Sequence, residues 1–111
     1  MGEKGARQTG RAADAAAAVV ADLAPLGQVS SKKMFGGHGI FGDGVMFALI
    51  DSNGTVHLRA DSVTEARFLD AGSTKHGRMP YWVVPSAVLA SEAQFVTWAS
   101  EALEVARAAK R

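Results

Sequence analysis

The sequence predicts an α+β domain, a two-layer structure in which helices cover one face of an antiparallel sheet. Three observations lead there. Apolar residues recur at helical spacing near both ends of the chain, from Ala12 to Leu26 and from Phe95 to Ala106. Between them lie short β-type runs separated by the turn pairs Asp43-Gly44 and Asn53-Gly54. The length of 111 residues leaves room for one core of ordinary size. The expected order is helix, three-stranded meander, helix, one or more further strands, helix.

Residues 1–10 are polar and hold three glycines, a composition that does not repay the cost of ordering, so they read as a flexible leader before a single domain over residues 11–111. In the first helix Ala12, Ala15, Ala16, Val19, Leu23 and Leu26 share one face, and Pro25 with Gly27 marks its end. Strands are expected at Val29 to Phe35, Gly39 to Phe41, Val45 to Ile50 and Thr55 to Ala60. Asp-Gly and Asn-Gly tolerate the positive φ of a type I′ hairpin turn, which makes the middle a meander. Ser62 with Glu65 has the spacing of a capping box before a short helix that stops at Gly72. Ser73 to Arg78 reads as a mobile loop and Met79 to Val84 as a strand broken by Pro85. Ser91 with Gln94 caps the last helix, whose buried face is expected to carry Phe95, Trp98, Ala99, Ala102, Val105 and Ala106.

Strict alternation in the third strand sends Val45, Phe47 and Leu49 one way and Met46, Ala48 and Ile50 the other, so both faces read as apolar. The same holds for Met79, Tyr81 and Val83 against Trp82 and Val84. A domain of this size has too little helix to cover both faces, which predicts a partner on the second face, most simply another copy in a homodimer.

Composition narrows the chemistry. Twelve Lys and Arg stand against 11 Asp and Glu, a net charge of +1, so no whole-molecule field draws the chain to nucleic acid or an anionic membrane. With no cysteine there is no disulfide, thiolate nucleophile, iron–sulfur cluster or Cys-ligated zinc. Lys4, Arg7 and Arg11 before an alanine-rich run imitate a signal peptide, but Asp14 and Asp22 interrupt the apolar segment, and a cytoplasmic protein is expected. His38, His57 and His76 are far apart in sequence, with none at i, i+4 spacing on a helix. A metal site would have to be assembled entirely by the fold, and none is expected, nor any cofactor. His57 reads as a polar-face strand residue beside Arg59, and His76 as a loop residue. Asp43, Asp51, Asp61, Glu65 and Asp70 are explained by turns and caps, and no serine sits in a nucleophile elbow, so no catalytic residues and no enzyme activity are expected.

Two features are candidates for binding. Gly36-Gly37-His38-Gly39 has the backbone freedom of an anion-binding nest, but it joins two strands and lacks a helix N-terminus, which favours a tight connection over a ligand loop. Lys32, Lys33, Arg59, Lys75, His76 and Arg78 would form a basic surface if their strands were neighbours; the competing reading is solvation on a sheet edge, where lysine prevents aggregation.

Three stretches add a resemblance: Lys33-Met34-Phe35-Gly36-Gly37-His38-Gly39-Ile40-Phe41, then Gly44-Val45-Met46-Phe47-Ala48-Leu49-Ile50, then Met79-Pro80-Tyr81-Trp82-Val83-Val84-Pro85. Together they resemble the N-terminal domain of the TfoX/Sxy family, regulators of bacterial natural competence, over roughly residues 12–108. The resemblance implies a fold like that of secretion chaperones and, more loosely, transcriptional co-activation of DNA-uptake genes together with the cyclic-AMP receptor protein. Longer members carry a second, helical domain, so this chain is expected to be a stand-alone copy. The function expected is a small non-enzymatic regulatory or adaptor domain that binds a protein, such as a transcription regulator. Its partner surface is expected among Met34, Phe35, Gly36, Gly37, His38, Met46, Ile50, Tyr81 and Trp82. Direct nucleic-acid binding through the basic residues and a ligand site at the glycine loop are the alternatives.

Overall fold

The computed structural model describes residues 3–34 and 36–110, with side chains from residue 10 onward. The elements follow in the order α1 (Glu3–Asp22), a 3₁₀ turn (Ala24–Leu26), β1 (Val29–Met34), β2 (Gly37–Gly42), β3 (Val45–Ile50), β4 (Val56–Arg59), α2 (Glu65–Asp70), β5 (Tyr81–Val83), α3 (Ser86–Leu89) and α4 (Glu92–Lys110). Helix α1 starts at Glu3, so its first turns fall within the stretch expected as a leader. The sheet is a five-stranded antiparallel meander in chain order, β1-β2-β3-β4-β5. Helix α1 lies over β1, β2 and β3, α4 over β3 and β4, and α2 beside β5. This is the α+β arrangement expected, with the meander longer than foreseen.

Turn chemistry explains the connections. Asp43 and Gly44 have φ of 53° and 77°, the positive values that a two-residue type I′ hairpin requires, and Gly42 pairs with Val45 across it. Asn53-Gly54 behaves differently. Only Gly54 has positive φ there, and the Asp51 carboxylate Oδ1 accepts from the amides of Asn53 (3.0 Å) and Thr55 (2.9 Å), shaping a connection that runs from Asp51 to Thr55. Gly36 has φ 74° in the β1–β2 connection, closed by the Met34–Gly37 pair, so the glycine run is a strand connection. Gly37 is required there for space: a Cβ would lie 1.9 Å from the Ile50 carbonyl oxygen.

Helix caps match the sequence at one end and not the other. The Gln94 amide donates to Ser91 Oγ (3.3 Å), as the spacing predicts. At α2 the N-cap position is Thr64, with no side-chain capping bond, and the turn before it is held by Asp61 and not Ser62: the Asp61 carboxylate accepts from the amides of Val63 (2.9 Å) and Thr64 (2.8 Å), and the Asp61 amide donates to Thr64 Oγ1 (3.0 Å). An anionic acceptor binds amide donors more strongly than a hydroxyl does, which explains the shift. The amide of Thr64 accordingly holds the Asp61 carboxyl below its ordinary range. The short helix α3 had no periodic signal, being four residues long.

The core lies between the helices and one face of the sheet. Ala12, Ala16, Val19 and Leu23 of α1 meet Ile40, Phe47, Ala48, Ile50 and Leu58, and Phe95, Ala99, Ala102, Leu103 and Ala106 of α4 complete it. Leu103 replaces Trp98 and Val105, both half-buried, among the fully buried α4 positions. At the β5 end Phe68 stacks on Trp82 (centroids 6.2 Å) and meets Trp98 edge to face (5.1 Å), with the Arg67 guanidinium 4.4 Å from the Trp98 centroid and paired with Glu101. Arg107 of α4 pairs with Asp43 in the β2–β3 turn, tying the last helix to the hairpin.

The sheet departs from strict alternation in β3. Ile40 pairs with Ala48 but Phe41 with Met46, leaving Phe47 as an extra residue, a bulge. After it the pleat is reversed: Val45, Phe47, Ala48 and Ile50 all join the helix-side core, while Met46 and Leu49 point away. The expected split of this strand is corrected accordingly, and Ile50, a partner-surface candidate, is fully buried. Replacing Gly37 by Ala is expected to cost at least about 2 kcal/mol, because the new methyl meets backbone and not a flexible side chain. Urea unfolding of the variant checks this.

Candidate functional site

Attention falls on the sheet face opposite the helices. One cross-strand row there runs Lys32, Gly39, Leu49, His57, Val83, each paired with the next. The neighbouring row, Ser31, Ile40, Ala48, Leu58 and Trp82, faces the helices. Trp82 is therefore a core residue against Phe68, which corrects its place among the partner-surface candidates.

This face covers much of itself. A Cβ on Gly39 would sit 3.0 Å from the sulfurs of both Met34 and Met46 and 3.1 Å from the Phe41 ring, so three side chains close over the glycine. Leu49, His57 and Tyr81 are 2%, 3% and 3% exposed without any partner chain. The Tyr81 hydroxyl donates to the Met46 carbonyl (3.2 Å), and the Arg59 guanidinium lies 5.9 Å from the Tyr81 ring centroid. Soft methionines and one glycine let the chain itself cover Leu49, His57 and Tyr81 on this face. Met34, Phe41 and Met46 stay half-buried, and Gly36 and His38 are exposed and half-buried at the β1–β2 connection. Gly37 is buried, and Phe35 lies outside the described residues.

The two edges of the sheet differ. On the β5 side, residues 73–76 run alongside the strand: the Val83 amide donates to the Thr74 carbonyl (2.9 Å), the His76 amide to the Tyr81 carbonyl (2.8 Å), and Lys75 bridges Trp82. The expected loop is tied down. On the β1 side no described strand pairs outward, and Ser30, Ser31, Lys32 and Lys33 are exposed. A groove of about 870 Å³ runs along β1, lined by Val20, Ala24, Val29, Lys32, Phe41 and neighbouring residues.

That order also separates the basic residues. Lys32 and Lys33 lie on the β1 edge, Arg59 is half-buried in β4, and Lys75 and Arg78 lie beyond β5. Five strand spacings of ~4.8 Å, from β1 to the segment outside β5, put the Lys32–Lys33 pair and Lys75 about 24 Å apart. The strands that carry these residues are not neighbours, which is the condition a single basic surface required.

The same packing gathers residues that the sequence kept apart. Asp51 follows β3, His57 sits in β4 and His76 lies between α2 and β5, yet ligand atoms of all three lie within 4.8 Å of one another. The rings of His57 and His76 are 4.9 Å apart at 73°. His57, expected on an exposed polar face, is buried, and its Nδ1 lies 3.0 Å from the Thr55 carbonyl and 3.3 Å from the Leu49 carbonyl. Carbonyls only accept, so Nδ1 carries the proton and donates.

The family model described as the TfoX N-terminal domain matches residues 21–106. The chain belongs to the TfoX N-terminal domain family. Comparison with curated proteins gives no match. The matched span holds all five strands, so the β1 edge, the groove apart from Val20, and the Asp51, His57, His76 cluster lie within the TfoX match. No helix among the described residues is long and apolar enough to cross a membrane.

Burial and the nearby His76 hold the His57 imidazole below its ordinary value of 6.5, against the raising effect of the carbonyls and Asp51. Below pH 6.5 the unfolded chain then binds a proton at this position before the folded one does. The His57 contribution to stability is complete above 6.5 and is lost as pH falls towards the lowered folded value. NMR titration is expected to place the His57 midpoint below 6.5, with the melting temperature declining in that window. A midpoint above 6.5 contradicts the assignment.

Proposed function

We propose that this TfoX domain is a non-enzymatic regulatory adaptor that binds a protein segment along the free edge of β1. The observation that supports the reading is the contrast between the two edges: β5 is covered by the chain's own residues 73–76, whereas β1 presents an unpaired backbone beside a groove. An extended segment added there gains main-chain hydrogen bonds from β1 and side-chain contacts from Val29 and Phe41. Lys32 and Lys33 favour a segment with acidic residues and disfavour indiscriminate pairing.

Family membership supports a regulatory domain, and the competence role of TfoX proteins supports transcription as the process regulated, in the cytoplasm. A transcription regulator with an acidic extended segment is the partner of this reading. Self-pairing through β1 is less favourable, because two copies place four lysines in one short ladder. Direct binding to nucleic acid loses ground with the basic residues split between two edges.

Reversing both charges, Lys32→Glu with Lys33→Glu, is expected to leave the fold intact, since both side chains are exposed. Crosslinked affinity capture in the native host is expected to lose the partner, and the variant to fail in restoring transcript levels to a deletion strain. Undiminished capture and full complementation overturn the reading. Light scattering distinguishes a homodimer.

A further inference from the structure

We propose that Asp51, His57 and His76 bind a single divalent transition-metal ion of the zinc class, a site independent of the β1 edge. The three residues come from three separate segments, and two imidazoles with one carboxylate form a donor set suited to zinc and its first-row neighbours more than to magnesium or calcium.

Each donor is prepared for the role. His57 donates from Nδ1 to backbone carbonyls, which fixes the ring and leaves the Nε2 lone pair free, the support that ligating histidines ordinarily have. Asp51 uses Oδ1 for the amides of Asn53 and Thr55, and that bonding anchors the carboxylate while Oδ2 remains for a metal. His76 is held in place by its backbone, whose amide donates to the Tyr81 carbonyl. A tetrahedral ion with bonds of ~2.0–2.2 Å needs donors about 3.3–3.5 Å apart. Binding an ion requires the present separations, within 4.8 Å, to shorten to that. Asp51 and His76 are half-buried, so the fourth position opens to water.

Bound there, the ion fastens residues 73–78 to the β3–β4 connection, joining the outer end of the sheet to its middle. The test titrates chelator-treated full-length protein with zinc chloride, reading stoichiometry by calorimetry and stability by thermal unfolding. One equivalent is expected to bind saturably and raise the melting temperature. Asp51→Asn keeps an amide oxygen for the turn and His76→Ala changes a half-buried residue outside the helix-side core, so both variants are expected to fold, with circular dichroism as the check. Each is expected to bind zinc at least about tenfold more weakly and to lose most of the thermal shift. His38→Ala is expected to bind as the parent does. No saturable binding by the parent, or parental affinity in Asp51→Asn and His76→Ala, overturns the proposal.

Discussion

One extra residue in β3 decides what each face of this sheet carries. Phe47 has no partner between the Ile40–Ala48 and Phe41–Met46 pairs, and the pleat is out of step on either side of it. Before the bulge, Val45 enters the helix-side core; after it, Ala48 and Ile50 do. Leu49 and Asp51 are thereby sent to the face that also carries Met46. Without that slip Leu49 would compete for space with α4, and Asp51 would point away from His57. A bulge costs a ladder position and some regularity, and here those losses accompany a fuller core and a second face with chemistry on it.

The second face shows how a small domain manages with helices on one side only. Its apolar residues are few and adaptable: Met34, Phe41 and Met46 gather over Gly39, and Tyr81 closes back onto the Met46 carbonyl. The chain thus spends little of its helix on this side. What remains open is an edge, with the lysines that natural sheets use to keep such edges from pairing indiscriminately.

Local chemistry was readable where a few adjacent residues determine the outcome. Asp43-Gly44 forms its turn because both φ values are positive, Ser91 caps α4, and the spacing of Ala12, Ala16, Val19 and Leu23 shows the buried stripe of α1. The TfoX-like motifs at residues 33–41, 44–50 and 79–85 led to the family. The bulge was not readable, because Val-Met-Phe-Ala-Leu-Ile is apolar at every position and either register looks buried. Asp61 and not Ser62 holds the turn before α2, a choice that capping-box spacing alone does not make. The meeting of His57 and His76 depends on residues 73–76 lying against β5, a long-range pairing in a stretch that reads as a polar loop.

The aromatic cluster at the β5 end has an optical consequence. The chain has two tryptophans, and both contact Phe68, Trp82 by stacking and Trp98 edge to face, with the Arg67 guanidinium over the Trp98 ring. Intrinsic emission therefore samples one corner of the molecule, where α2, β5 and α4 meet. The β1 edge is four strands from that corner and is spectroscopically silent. An emission change on adding a ligand reports a rearrangement around α2, and events confined to the far edge call for an introduced fluorophore.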